Sequence, residues 1–342
     1  MQVFRSAAIF APLPHRPISA KTLRMWCTPE VILGVTTLSD EHSLLPHIIS
    51  QARLSGAKII LAYAQNKLVT QNCRKASLAH QLTGVREVRE ALERMARQLR
   101  WLGLTCEPIL LSGQPELEVP FLVRSCGVDR VMIGFEEDPD LTTKRIPPIP
   151  EQVLRGVDVP VCAIGRNAIH ANRGAIRNIT LAVSPEFRCE VPLSFASRLA
   201  QEYRARLTLL HVLDPESAGE KASTPQAVIA RLPFPTWREA ELFCPTQITL
   251  RQGQAADEIL NHCVSTQQDL LILCSPGNTL SEKAWRDGVT YRTIAGALCP
   301  VLIARSRSDS AVALCTTSTT ETQKFSPHGE HFNERQRKEV SK

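Results

Sequence analysis

Residues 112–135, SGQPELEVPFLVRSCGVDRVMIGF, lie over residues 252–275, QGQAADEILNHCVSTQQDLLILCS, without a gap at a separation of 140. Each copy opens on a small-residue turn, continues through an amphipathic stretch, and ends in a short apolar run entered from an aspartate, Asp129 or Asp269. The amphipathic part has helical spacing, and the apolar runs have the length of strands buried on both faces. Pro160-Val161 and Pro300-Val301 then open a further apolar run at the same separation.

Upstream the duplication continues. VILGVT (31–36) answers ITLAVS (179–184), and an amphipathic stretch follows each. AKIILAYA (57–64) lies over ARLTLLHV (205–212) at a separation of 148. The separation changes by eight because the middle segments differ, helix-like in the first half (GVREVREALERMARQLRWLG) and proline-broken in the second (RLPFPTWREAELF). Each half therefore reads β-α-β-α-β-α-β-α-β. Alternating buried strands and helices predict right-handed crossovers and a parallel sheet covered on both faces. The expected organisation is an irregular lead over 1–28, one α/β domain over 29–168, a second over 176–306, and a polar, Ser/Thr-rich, disordered tail over 307–342.

The chain has 342 residues, 43% hydrophobic and 22% charged, in keeping with a globular protein of two domains. No apolar run reaches the ~20 residues of a membrane helix. The proline-interrupted N-terminus does not read as a secretory signal, so the expected location is the cytoplasm. The formal charge is +6, but acidic and basic residues are interleaved and no Lys/Arg stripe suggests nucleic acid. The eleven cysteines are scattered, without a CxxC or zinc spacing. Cys162, Cys274 and Cys299 read as small buried hydrophobes.

Taken with the strand ending LLHV, the entry from Asp269 and the closing YRTIAGALCPVLIAR, this pattern resembles the universal stress protein family in its tandem form. The second repeat matches along its length. The first matches in layout, ending in VPVCAIGR, but weakly in motif. The resemblance implies two Rossmann-like domains of the adenine nucleotide alpha hydrolase-like type, each with a five-stranded parallel sheet. It also implies pairing through last strands, here 159–164 beside 300–304, which would make one chain a pseudo-dimer. A homodimer is a further possibility.

ATP-binding members carry Gly, two residues, Gly, nine residues, then Gly-Ser or Gly-Thr. Such glycines let backbone N–H groups wrap a phosphate at a helix N-terminus. Here the pattern falls on Cys274, Gly277 and Asp287-Gly288, in CSPGNTLSEKAWRDG. Asp287 stands where a glycine should present its N–H, and it reads more simply as the N-cap of the following helix. Ser184 occupies the place of the family's acidic residue, with Thr36 as its expected counterpart in the first half. In the first repeat the pattern falls on Gly134, Glu137 and Pro147-Pro148, and proline has no N–H to offer. The remnant nucleotide site is thus Ser184, the backbone of Val212, Cys274, Ser275, Gly277, Asp287 and Gly288, with Lys283 or Arg286 as the source of positive charge.

No GxSxG, HExxH or P-loop occurs. His211, in LTLLHVLD, reads as a satisfied strand histidine, and His42 and His47 as flanking the first helix. Trp285 reads as an aromatic anchor for a loop. The expected function is a non-catalytic regulator or binding module of the stress response, without a catalytic residue, metal or cofactor. Its partners would be proteins or a small molecule. Two alternatives stay open: an ATP or nucleotide binder using the second repeat alone, and a slow ATPase built on Asp287.

Overall fold

The structure, a computed structural model, describes residues 28–36, 41–64, 78–111, 113–135, 146–165, 168, 176–184, 190–213, 244–275 and 282–305. The lead, the tail, the proline-broken middle of the second half and Gly277 lie outside the described residues. In the first repeat β1 is Val31–Thr36, α1 Glu41–Ser55, β2 Lys58–Ala64, α2 Leu78–Trp101 and β3 Cys106–Leu111. They are followed by α3 Pro115–Ser125, β4 Arg130–Phe135, α4 Pro148–Gly156 and β5 Val161–Gly165. The second repeat has β6 Asn178–Ala182, α5 Glu190–Tyr203, β7 Arg206–Leu213, β8 Thr246–Gln252 and α6 Ala255–Ser265. It closes with β9 Leu270–Ser275, α7 Glu282–Arg286, α8 Val289–Gly296 and β10 Val301–Arg305.

The ten strands form one sheet in the order β3-β2-β1-β4-β5-β10-β9-β6-β7-β8. All neighbours are parallel except β5 and β10, which run antiparallel with Val161 opposite Ile303, Cys162 opposite Leu302 and Ala163 opposite Val301. Cys162 and Leu302 are themselves 140 residues apart, so the two repeats meet about a local two-fold axis at that pair. This is the pairing of last strands that the family resemblance implied. It covers two edges that would otherwise expose unpaired backbone groups.

Helices cover both faces. The α1, α2 and α5 helices bury Ile48, Met95, Leu99, Phe195 and Leu199 against one face. The α3, α4, α6, α7 and α8 helices bury Val119, Val153, Ile259, Trp285 and Ile294 against the other. Each face is one continuous core across both repeats, because strands buried on both sides carry apolar residues at consecutive positions.

The two repeated aspartates have a structural task. Asp129 Oδ2 accepts from the N–H groups of Glu30 and Val31 at 2.8 and 3.1 Å. Asp269 Oδ2 accepts from Arg177 and Asn178 at 2.8 and 2.9 Å. Each carboxylate clips the start of a first strand to the start of a fourth through charge-assisted hydrogen bonds.

Those bonds also correct the alignment. Ile32 pairs with Arg130 while Ile179 pairs with Leu270, so β1 and β6 correspond at a separation of 147, not 148. A one-residue slip exchanges the two faces of a strand. The counterpart of Thr36 is therefore Val183, and Ser184 answers residue 37, which lies outside the described residues.

Candidate functional site

In each repeat the connection order reverses between the first and fourth strands, β1 and β4 or β6 and β9. In open parallel sheets a crevice forms at the carboxyl ends of the strands flanking such a reversal, and ligands bind there. In the second repeat that crevice lies between the ends of β6 and β9. The structure gathers four of the expected residues at this edge. Ser184 follows β6 and is half-buried, Val212 is near the end of β7, and Cys274 and Ser275 end β9. The Cys274 thiol lies 4.0 Å from the Ala182 carbonyl, a contact across the crevice.

His211 Nδ1 donates to the Val183 carbonyl at 2.9 Å, tying the ends of β7 and β6 together. It is a satisfied strand histidine, as expected. His42 and His47 lie within α1 instead of flanking it. His47 is buried, and desolvation drives its pKa down to about 4 against an upward pull from a hydrogen bond with the Ala168 backbone. Cys162 and Cys299 are core residues, and burial pushes the Cys162 thiol up to about 12. Such a thiol stays protonated at neutral pH and is a poor nucleophile.

Asp287 and Gly288 form the turn between α7 and α8, and here the geometry departs from a phosphate cradle. Residues 282–286 form a short helix, so Trp285 sits on a helix where the sequence suggested a loop. The last turn of α7 uses the N–H groups that a cradle would direct at a phosphate. The Asp287 N–H donates to the Lys283 carbonyl at 2.9 Å, and the Gly288 N–H donates to the Trp285 carbonyl at 3.1 Å. Asp287 is not the N-cap of α8. That position belongs to Gly288, without a side-chain capping bond, and Asp287 is exposed one residue earlier. Closing α7 in five residues moved the cap by one. A Cβ on Gly288 would come within 3.1 Å of the Ala284 and Trp285 carbonyl oxygens, so glycine serves a close backbone approach there.

The positive charge expected for a phosphate is also engaged elsewhere. Arg286 Nε donates to both oxygens of Glu151 at 3.0 and 3.3 Å, and Nη2 donates to Oε2 at 3.2 Å. Glu151 belongs to α4 of the first repeat and its side chain is 8% exposed. The Tyr291 hydroxyl, on α8, accepts the Ile146 N–H at 3.1 Å, again across the repeats. Trp285 is buried beneath this contact, edge-on to Tyr291 at 6.4 Å between ring centroids. The α7–α8 hairpin is thus a clamp onto the first repeat. The sequence marks Arg286 as a cation near the turn, but nothing in it pairs that residue with a glutamate 135 positions away.

In the first repeat Pro147 and Pro148 are the N-cap and first residue of α4. Neither has an N–H. Among the described residues, no group of three or more His, Cys, Asp or Glu side chains is placed to hold a metal ion.

Residues 175–305 match the model of the universal stress protein family. That segment is the second repeat, and it is there that the chain is similar to the universal stress protein family. No curated protein matches the chain. A universal stress protein from Archaeoglobus fulgidus DSM 4304 superposes with a TM-score of 0.65 at 14% identity, covering 81% of this chain and 98% of its own. A functionally unknown protein from Pseudomonas aeruginosa PAO1 superposes with a TM-score of 0.53 at 13% identity, covering 85% of this chain and 96% of its own. At these identities the likeness is one of fold, and it extends over both repeats. The chain shares the α/β fold of these structures, and its two repeats share one mostly parallel sheet. No helix among the described residues is long and apolar enough to cross a membrane.

Proposed function

We propose that this chain is a non-catalytic binding module of the stress response. It works in the cytoplasm through a protein partner or small ligand, without the ATP site of its nucleotide-binding relatives. The observation that supports this reading is the use of the cradle's own groups. The N–H groups of Asp287 and Gly288 close α7, and Arg286 holds Glu151 of the other repeat. An N–H already hydrogen-bonded to a carbonyl has nothing left for a phosphate oxygen. The exposed Asp287 carboxylate adds repulsion toward a polyphosphate. Ser184, Cys274 and the Val212 backbone carry no positive charge, which leaves the exposed Lys283 on α7 as the remaining cation near the turn.

The test is calorimetric titration of the full chain with ATP, with and without magnesium, beside an Asp287→Gly variant. Silence from both proteins is the expected result once Arg177→Glu and Arg204→Gly have removed the arginine edge described below, because the Asp287→Gly change restores a glycine without freeing its N–H. Binding by the variant alone would reassign Asp287 as the single block on a site otherwise intact. Saturable binding by the wild type that survives loss of the arginines described next would overturn the reading and place an ATP site in the second repeat.

A further inference from the structure

The opposite edge of the second repeat, at the amino ends of β6, β7 and β8, holds a cavity of about 540 Å³. Arg177, Arg204 and Arg206 line it together with Tyr203 and Pro245. That volume lies within the range of small-molecule sites. The three arginines are exposed, and their side chains make no ion pair among the described residues.

The first repeat supplies the control. By backbone hydrogen bonding, Arg206 to Arg177 corresponds to Lys58 to Glu30, and Leu207 to Pro245 corresponds to Ile59 to Thr105. The counterparts of Arg177, Arg204 and Arg206 are thus Glu30, Gly56 and Lys58. Lys58 is itself paired with Glu107 at 2.7 Å, whereas the residue answering Glu107 is Gln247. Among the described residues the first edge sets one cation, Lys58, against Glu30 and Glu107, while the other carries three guanidinium groups without an ion pair on the same backbone frame.

A further contrast lies in the backbone. Gly56 has φ +71°, where glycine is at ease, but its counterpart Arg204 is held at φ +52°. A side chain in that region is strained, so an arginine there carries a conformational cost that glycine would avoid.

We infer that this edge binds a small phosphate-bearing molecule. Guanidinium forks match phosphate oxygens in pairs, and the tyrosine ring gives the cavity an apolar wall. The nearby acidic groups do not cancel the site. The Asp269 carboxylate is occupied by the N–H groups of Arg177 and Asn178. Glu202 is one exposed charge on α5. The carbonyl end of α5 also points here and favours cations, but only Arg204 adjoins it. Arg177 and Arg206 come from strand ends and are not explained by the helix.

Pyrophosphate is the probe, titrated calorimetrically into the full chain at low ionic strength. It lacks a nucleoside, which keeps this test separate from the cradle. One-to-one saturable binding is expected. Arg204→Gly, which relieves the backbone strain, should weaken it by about tenfold. Arg177→Glu combined with Arg204→Gly should abolish it, while Asp287→Gly should leave it unchanged. Absence of saturation, or equal binding by the double variant with its melting temperature retained, would overturn the inference. So would tighter binding of a short single-stranded oligonucleotide than of pyrophosphate, which would make this edge a nucleic-acid surface.

Discussion

The two repeats share a backbone plan, but at several matched positions one has a buried polar residue where the other has an apolar one, and these exchanges run in opposite directions on the two faces of the common sheet. On the α1–α2–α5 face the first repeat buries His47, Gln51 and Arg130. The corresponding residues of the second repeat are Phe195, Leu199 and Leu270, all buried and apolar. On the other face the pattern inverts. Thr180, Thr208, His262 and Thr293 are buried in the second repeat, where the first has Leu33, Ile60, Leu122 and Val153. A duplicated fold thus keeps its strand order while matched positions trade polarity in either layer, and buried Glu151 on α4 and Ser197 on α5 stand outside this exchange.

The polar sets also differ in how they are satisfied. Arg130 Nη1 donates to Gln51 Oε1 at 2.7 Å, and the guanidinium carbon lies 5.7 Å from the ring centroid of Phe195. The polar residue of one repeat therefore stacks on its apolar counterpart region in the other, a cation–π contact across the join. In the second repeat Thr180 meets His262 at 3.2 Å, yet His262 Nδ1 and Thr293 Oγ1 are buried without a hydrogen-bond partner. The first cluster reaches across the join, and buried side-chain atoms without a hydrogen-bond partner occur in both.

The comparison breaks most severely at Arg130. Arg130→Ala empties a fully buried site and removes the donor to Gln51 Oε1, so chemical denaturation should register a loss of roughly 3–5 kcal/mol. Arg130→Leu with Gln51→Leu, the residues of the second repeat, should recover most of that loss. No recovery would mean that the guanidinium's contact with Phe195, not its hydrogen bond, joins the repeats.

Acid comes next. His47 accepts a proton in the folded chain only near pH 4, whereas the unfolded chain accepts one near 6.5. The unfolded state therefore binds more protons across that window. Stability should fall as the pH drops from about 6.5 to about 4, by on the order of 3 kcal/mol. His47→Phe, the residue of the second repeat, should flatten this limb in denaturation curves taken at stepped pH. His262, whose pKa is also lowered by burial and then by Arg251, should leave a smaller residual slope. An unchanged slope would remove His47 from the account.

The smallest change sharpens the contrast from the other side. Thr293→Val installs the first repeat's Val153 and removes an orphaned hydroxyl, so a gain of about 1 kcal/mol is expected from thermal or chemical melts. A loss would show that the hydroxyl has a partner and that the second repeat's polar layer is as well satisfied as the first's.

Much of this was legible in the chain. Apolar runs of strand length alternating with amphipathic stretches specify parallel α/β units, since only helical crossovers connect such strands. Asp129 and Asp269 were visible as matched positions, although their clipping of β1 and β6 was not. The remnant cradle was legible as a spacing, and its edge residues do assemble at the strand reversal. What escaped was the partner of each charge. Arg286 looked available for a phosphate because Glu151 is remote in sequence. Asp287 looked like a cap because nothing in SEKAWRDG announces a five-residue helix before it.

The sequence by itself determined the duplication and the strand and helix periods, which follow from local patterning. The meeting of the two last strands was implied by the family resemblance, and the structure supplied its antiparallel sense. Tertiary structure alone decided the one-residue shift of β1 against β6, the clamp of Arg286 on Glu151 and the gathering of three arginines at one edge. Register, ion pairing and the convergence of strand ends depend on residues far apart in the chain. Their energies exist only once the folded backbone has brought those groups within a few ångströms of each other.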